Sequence, residues 1–224
     1  MSFTKIGVLG GTFDPVHFGH LQLAESAMSE CTLDKVLFIP AALPPHKEGT
    51  TVTSFAHRAA MLQLASKTSK SFGCNLIEAR LPKPSYTIDT LQQLQKYYGD
   101  QVRLSFIMGA DAFLEIVTWK AYKALLGLVT VIISLREGYQ ERMLLQLLEE
   151  LGYGMQGSNR YRKGNTQEVR ILKASPAAVS SSEIRAKIGR GESVHCLVPQ
   201  AVERYIQKHM LYQSDVCNNG CSDT

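Results

Sequence analysis

Short apolar runs in this chain alternate with longer stretches in which apolar residues recur every three or four positions. The short runs predict buried strands at residues 5–9, 35–40, 75–78, 103–109, 129–134 and 168–172. The periodic stretches predict helices that begin near residues 21, 54, 87, 139, 181 and 199. Strands that alternate with helices favour an α/β fold with a doubly wound, mainly parallel sheet and helices on both faces.

One domain accounts for most of the chain. At 224 residues the chain can bury one substantial core, and its 45% hydrophobic and 20% charged residues are typical of a globular protein. We expect a single domain over residues 1–212, in which about 180–212 form a C-terminal helical part. Residues 213–224 are polar, and we expect them to form a flexible tail.

Charge and hydropathy argue against two classes of protein. The formal net charge is +4, and lysine and arginine are dispersed except for a small cluster at residues 160–163, which we interpret as a solvated loop. This is too weak a basic pattern for a nucleic-acid surface. No apolar stretch is long enough to span a bilayer, and no secretory signal precedes the first strand. We therefore expect a cytoplasmic protein with no membrane or nucleic-acid partner.

The cysteines give no sign of a metal site. The chain has five, and their spacing matches no common metal-binding pattern. We expect them to be free thiols. We assign no metal ligand to the protein.

The segment GGTFDPVHFGH, residues 10–20, joins the first predicted strand to the first helix. Its glycines allow close approach of the backbone, and its two imidazoles, His17 and His20, can donate hydrogen bonds. His20 falls at a helix N-terminus, where unpaired amides and the helix dipole favour an anion. The segment therefore predicts a phosphate-binding turn. The alternative is that the histidines only cap or pack the helix, and a zinc site would need more ligands.

The strand that ends at Gly109 is expected to lie beside the first strand. Doubly wound sheets bind ligands beyond the carboxyl ends of the strands, at the point where the strand order reverses. These two strands are our candidates for flanking that point.

A second glycine pattern, G-x-G-x-x-G at residues 152–157, does not predict a dinucleotide site. That fingerprint needs a strand before it and a helix after it, whereas here a helix comes first and polar residues follow. We interpret these glycines as a helix end and a flexible turn.

The segment VSSSEIR, residues 179–185, begins another helix. Serine hydroxyls at a helix start are ordinary N-caps. Arg185, however, follows Ser182 by three residues and so lies near the same helix end. Its guanidinium can bind phosphate oxygens beside the capping amides. The segment is therefore a second candidate for phosphate binding.

These segments resemble the signatures of a known superfamily. Residues 10–20 resemble the H-x-G-H signature of the nucleotidylyltransferases, and residues 179–185 resemble their I-S-S-T-x-I-R signature. The string PSYTIDTL at residues 84–91, and Gly109 and Asp111 followed by Trp119, resemble segments of the nicotinate mononucleotide adenylyltransferase family. The resemblance runs from about residue 7 to residue 212.

The resemblance implies a Rossmann-like fold and an enzyme that transfers an adenylyl group. The implied substrates are ATP and nicotinate mononucleotide, and the implied products are deamido-NAD, an intermediate of NAD biosynthesis, and pyrophosphate. The mononucleotide phosphate would attack the α-phosphorus of ATP without a covalent enzyme intermediate. Mg²⁺ would enter with ATP, bound through phosphate oxygens and water.

The resemblance also implies roles for individual residues. His17, His20 and Arg185 would be catalytic and would stabilise negative charge on the phosphates. The implied ATP-binding residues are Gly10, Gly11, Thr12, Phe13, His17, His20, Gly109, Asp111, Ser181, Ser182 and Arg185. The implied mononucleotide-binding residues are Lys47, Tyr86, Thr87, Trp119, Lys120 and Arg136. The Trp119 indole would stack on the pyridinium ring, and backbone amides near Tyr86 and Trp119 would receive the carboxylate.

Two departures from the family pattern weaken the assignment of the substrate more than the assignment of the reaction type. Residues 135–138 lack the proline of the family's R-P-G turn, and Lys120 stands where an aromatic residue is common. Nicotinamide mononucleotide remains an alternative substrate, and a nucleotide-binding sensor without catalysis remains an alternative function. His17 and the segments around Tyr86 and Trp119 disfavour a phosphopantetheine adenylyltransferase and a cytidylyltransferase. The sequence does not indicate an oligomeric state.

Overall fold

The computed structural model describes residues 4–43, 52–135, 140–174 and 179–213. Lys47 and Arg136, two of the predicted mononucleotide ligands, lie outside the described residues. So does the predicted tail beyond residue 213.

A single sheet runs through the described part of the chain. Its strands are β1 (Thr4–Gly11), β2 (Lys35–Pro40), β3 (Phe72–Cys74), β4 (Val102–Gly109), β5 (Thr130–Ser134), β6 (Gly154–Gly157), β7 (Arg160–Arg162) and β8 (Val169–Ile171). Their order is β3-β2-β1-β4-β5-β8-β7-β6. Strands β1 to β5 and β8 pair in parallel, whereas β6 and β7 pair antiparallel at one edge. The strand order reverses between β1 and β4, as the sequence predicted.

Helices cover both faces of this sheet. They are α1 (Phe18–Cys31), α2 (Phe55–Ser66), α3 (Thr87–Tyr98), α4 (Ala110–Leu114), α5 (Tyr122–Leu128), α6 (Gln140–Glu150), α7 (Ser181–Gly189) and α8 (Gln200–Lys208). Helices α3 to α6 contribute to one buried apolar cluster, and α1, α2, α7 and α8 contribute to the other. The predicted doubly wound α/β fold is therefore confirmed.

The central strands supply both apolar clusters because successive side chains of a strand point to opposite faces. In β4, Phe106 and Met108 belong to the first cluster and Ile107 to the second. In β5, Ile133 and Ile132 divide in the same way. Burial on both faces explains why these strands appear in the sequence as continuous apolar runs.

The prediction of a strand at residues 75–78 is wrong. The strand β3 ends at Cys74, and the next element is a 3₁₀ turn at Ile77–Arg80. The Asn75 side-chain oxygen accepts a hydrogen bond from the backbone N–H of Ile77 at 2.9 Å. This local bond favours a turn over an extended strand.

The basic cluster at residues 160–163 is not a loop, and the glycines at 154–157 are not a flexible turn. Residues 160–162 form β7 and the glycine-containing segment forms β6, and the two strands make a hairpin that extends the sheet. Arg160, Arg162 and Arg170 all contact the Glu168 carboxylate, at 2.5, 2.8 and 3.0 Å. Hydrogen bonding from Arg160, with support from Arg170, lowers the pKa of Glu168 to about 2. The single Glu168 carboxylate therefore offsets part of this cluster's positive charge.

Cys31, Cys74 and Cys196 are free thiols, as predicted. Burial raises the pKa of Cys74 to about 11. Burial also raises the pKa of Cys31. None of the described helices combines the length and the apolar character needed to span a bilayer.

Candidate active site

The predicted phosphate-binding turn lies between β1 and α1. His17 is the N-cap of α1, and His20 occupies the third helical position. The backbone N–H of His17 donates to His20 Nδ1 at 3.3 Å, and the two rings stack with their centroids 3.8 Å apart. Because Nδ1 of His20 accepts this bond, the neutral ring carries its hydrogen on Nε2. The structure thus brings both histidines together at the helix N-terminus.

The Phe13 side chain packs against this turn on the side that faces the core. It is buried, with its ring centroid 4.9 Å from that of His20. A Cβ at Gly11 would lie 3.1 Å from the Phe13 ring, which leaves little room for a side chain. The phenyl ring is therefore part of the core. Any contact between Phe13 and ATP would have to come from its backbone.

The Asp14 carboxylate accepts hydrogen bonds from two segments that are distant in sequence. The carboxylate is buried, and it accepts hydrogen bonds from the backbone N–H of Thr53 at 3.1 Å and from the Tyr212 hydroxyl at 2.7 Å. The peptide bond between Asp14 and Pro15 is cis. These two contacts link the turn to the segment before α2 and to the C-terminal segment.

Arg58 of α2 also holds the turn, and sequence reasoning missed it. Its guanidinium is buried and donates to the carbonyl oxygens of Thr53, Thr12 and Ala41 at 2.9, 2.8 and 2.9 Å. Burial lowers its pKa. The available signal was an arginine at helical spacing with Met61, on the apolar face of a helix, where a charge needs partners.

The second signature packs against the first. Ser180 caps α7 by accepting from the Glu183 N–H at 3.1 Å. The Ser181 hydroxyl donates to the Pro15 carbonyl at 2.9 Å, and Arg185 Nη1 donates to the Asp14 carbonyl at 2.7 Å. The two candidate phosphate-binding segments are therefore in direct contact.

A further contact in this segment joins two residues of α7. Arg185 Nη2 lies 3.2 Å from Ser182 Oγ. Binding of phosphate by Ser181, Ser182 and Arg185 stays a prediction.

A cavity of about 280 Å³ adjoins the phosphate-binding turn. Apolar side chains from the central strands, among them Ile39 and Phe106, form much of its wall. It brings together seven of the predicted site residues: Gly10, Gly11, Thr12, Tyr86, Thr87, Trp119 and Lys120. Segments that are far apart in sequence thus meet in one space.

The N-terminus of α3 lies at this cavity. Tyr86 is its N-cap, and its side chain makes no capping hydrogen bond. Thr87 and Ile88, the first helical residues, line the cavity. The backbone amides at the start of a helix have no partner within the helix, and they favour an anion together with the helix dipole.

Trp119 and Lys120 are far from Tyr86 in the sequence, but they line the same cavity. The Trp119 indole is half-buried and packs edge-on to Phe106, with the ring centroids 6.2 Å apart. Lys120 Nζ lies 4.5 Å from the centre of the Tyr86 ring and 2.8 Å from the Asp89 carboxylate. The lysine is thus held over the start of α3 by a ring and a carboxylate.

Glu78 is a second residue that sequence reasoning missed. Its carboxylate accepts from the Ala42 N–H at 3.1 Å, from the Ser85 hydroxyl at 2.7 Å and from the Thr90 hydroxyl at 3.1 Å. It lines the cavity and joins the loop after β2 to residues 84–91. Its position at the end of a supposed strand gave no signal of this role.

Gly109 ends β4 at the switch point, and α4 follows directly. A Cβ on Gly109 would clash with the Asp111 carboxylate, which folds back over this residue. Asp111 is exposed and does not line the cavity. Its predicted contact with ATP stays a prediction.

Histidine, cysteine, aspartate and glutamate side chains do not gather in groups of three or more suited to a metal ion within the described ranges.

Comparison with known proteins supports the interpretation of these segments. The family described as "Cytidylyltransferase-like" matches residues 8–187. A protein of Desulfotalea psychrophila named "Probable nicotinate-nucleotide adenylyltransferase" is 42% identical over 210 residues, which cover 93% of this chain and 99% of the relative. A protein of the same name from Thermoanaerobacter sp. strain X514 is 41% identical, with 94% and 95% covered.

Solved structures of lower identity show the same fold. The nicotinic acid mononucleotide adenylyltransferase of Plasmodium falciparum, complexed with NaAD, superposes with a TM-score of 0.70 at 17% identity. The superposition covers 93% of this chain and 97% of that one. The same enzyme complexed with APC gives a TM-score of 0.68. At this identity the likeness establishes the Rossmann-like fold alone.

Proposed function

We propose that this chain, which belongs to the family of nicotinate-nucleotide adenylyltransferases, transfers the adenylyl group of ATP to nicotinate mononucleotide. The products are deamido-NAD and pyrophosphate, so the enzyme serves NAD biosynthesis. The observation that carries this proposal is that Gly10, Gly11 and Thr12 of the phosphate-binding turn line the same cavity as Thr87 and Trp119. Triphosphate and pyridine nucleotide can therefore meet at one edge of the sheet.

The reaction needs positioned charge rather than an enzyme nucleophile. An oxygen of the mononucleotide 5′-phosphate attacks the α-phosphorus of ATP in line, and pyrophosphate leaves with the electrons of the bond that breaks. His17, His20 and Arg185 offer hydrogen-bond donors to the oxygens on which charge develops, and the amides at the start of α1 add to them. Holding both substrates in this geometry supplies the remaining acceleration.

Magnesium enters this proposal as part of the ATP substrate. Mg²⁺ binds readily to phosphate oxygens and keeps several waters, so it does not require a dedicated protein cage. Its role is to offset the charge of the triphosphate. We also propose that the enzyme works in the cytoplasm, since it consumes ATP, and that its partners are its two nucleotide substrates.

The mononucleotide is proposed to bind in the cavity. Its pyridinium ring would lie against the Trp119 indole, whose electron-rich face suits a cationic ring. Its carboxylate would meet the backbone amides at the start of α3, beside Lys120, whose ammonium group is paired with Asp89. Roles for Lys47 and Arg136 in binding the mononucleotide remain predictions from the resemblance.

Isotope labelling tests the reaction directly. With nicotinate mononucleotide and magnesium, [α-³²P]ATP should give a labelled dinucleotide, and [γ-³²P]ATP should give labelled pyrophosphate. Transfer of the γ-label to the mononucleotide would mean phosphoryl transfer and would contradict the proposal. Tight binding of both nucleotides without any transfer of label would instead favour the sensor.

A further inference from the structure

The last described residues of the chain reach back to the phosphate-binding turn. After α8, Leu211 N–H donates to the Ile206 carbonyl at 3.0 Å, and Met210 and Tyr212 adopt left-handed backbone angles, with φ of 49° and 63°. The Tyr212 side chain packs against the second apolar cluster, with its hydroxyl 4.0 Å from Met61 Sδ. These turns direct the tyrosine into the fold.

The Tyr212 hydroxyl ends at Asp14. It donates to Asp14 Oδ1 at 2.7 Å, while Oδ2 accepts from the Thr53 N–H at 3.1 Å. Burial, together with the bond to Asp14, raises the pKa of Tyr212 far above its usual range. The phenol therefore stays protonated at any working pH and remains a donor.

Asp14 occupies the centre of the turn, two residues after Thr12 and three before His17. Its carbonyl also accepts from Arg185 Nη1 at 2.7 Å. A shift of Asp14 would therefore move both the backbone that leads to His17 and the guanidinium of a proposed catalytic residue. A displacement of about 1 Å in a reacting site can lower the rate on the order of a hundredfold.

We propose that Tyr212 is a positioning residue of adenylyl transfer, which holds Asp14 and thereby fixes the phosphate-binding turn for the reaction. This inference rests on the proposed function. It assigns to the C-terminal segment a part in the active site that neither signature contains. Because neither Tyr212 nor Asp14 lines the cavity in which the mononucleotide is proposed to bind, we expect the effect to fall on the chemical step more than on binding.

Tyr212→Phe removes the hydroxyl and keeps the ring. We expect kcat to fall about tenfold, with the KM values for ATP and nicotinate mononucleotide changed less than about threefold. The matched control is Tyr205→Phe on α8, whose hydroxyl lies 3.0 Å from His57 Nδ1 rather than at Asp14. It should keep the wild-type kcat. Thermal melting of both variants controls for loss of docking of the C-terminal segment.

A double-mutant cycle with Asp14→Asn tests the route. If Tyr212 acts through Asp14, Tyr212→Phe should lower kcat less in the Asp14→Asn background than in the wild type. Equal losses in the two backgrounds, or a kcat of Tyr212→Phe equal to that of Tyr205→Phe, would overturn the positioning role. Absence of turnover in the wild type would refute the proposed function itself, and the positioning role with it.

Discussion

Replacing His20 with alanine should lower kcat for adenylyl transfer by about a thousandfold and leave the fold intact. His20 is half-buried at the third position of α1, and its Nδ1 accepts the backbone N–H of His17 at 3.3 Å. This bond leaves Nε2 as the donor of the neutral ring. Loss of a positioned donor in a site that relies on charge stabilisation removes much of the acceleration. Steady-state pyrophosphate release gives kcat, and circular dichroism checks the fold.

Two further variants make this result specific. His195→Ala removes an exposed imidazole that pairs with Glu203 at 3.1 Å, and it should leave kcat unchanged. His20→Gln retains a hydrogen-bond donor and should recover part of the activity. A His20→Ala enzyme with the wild-type kcat would remove His20 from the catalytic machinery.

Replacing Arg58 with methionine should destabilise the fold by about 3 kcal/mol. The guanidinium is 2% exposed and satisfies the carbonyl oxygens of Thr53, Thr12 and Ala41. Methionine fills a similar space but leaves these acceptors without their donors. Because one of them belongs to the phosphate-binding turn, kcat should fall as well. Urea denaturation followed by tryptophan fluorescence measures the free energy of unfolding.

Arg204→Met is the matched control for this change. Arg204 lies on α8, the helix that packs on α2, and its side chain is exposed. The substitution removes the same charge and should change the free energy of unfolding by less than about 0.5 kcal/mol. Equal effects at the two positions would contradict the role assigned to the Arg58 contacts.

Most of the fold could be predicted because its central strands are apolar on both faces. The strands at residues 103–109 and 129–134 and the start of the helix at residue 87 were predicted to within about one residue of their observed limits. The antiparallel pair β6 and β7 was missed, since its residues are glycine-rich or charged. Pairing with β8 and the salt bridges to Glu168 stabilise that edge, and both depend on contacts beyond the local sequence.

The residues of the candidate site also divide into those that the local sequence could predict and those that it could not. His17, His20 and the start of α7 lie in short segments whose local pattern already suggests a helix N-terminus with phosphate donors. Glu78 and Tyr212 are different, because each has a partner that is distant in sequence: Ala42 lies 36 residues from Glu78, and Asp14 lies 198 residues from Tyr212. No local pattern encodes such distances. Only the fold brings the Tyr212 hydroxyl to Asp14.

The most direct test of the account compares two acceptors at matched concentrations. Pyrophosphate release with MgATP should give a much larger kcat/KM for nicotinate mononucleotide than for nicotinamide mononucleotide, because the backbone amides at the start of α3 favour a carboxylate over an amide. A preference for the amide would keep adenylyl transfer but contradict this assignment of the cavity. Release with neither acceptor would contradict the central claim that the turn and the cavity form the active site of a nicotinate-nucleotide adenylyltransferase.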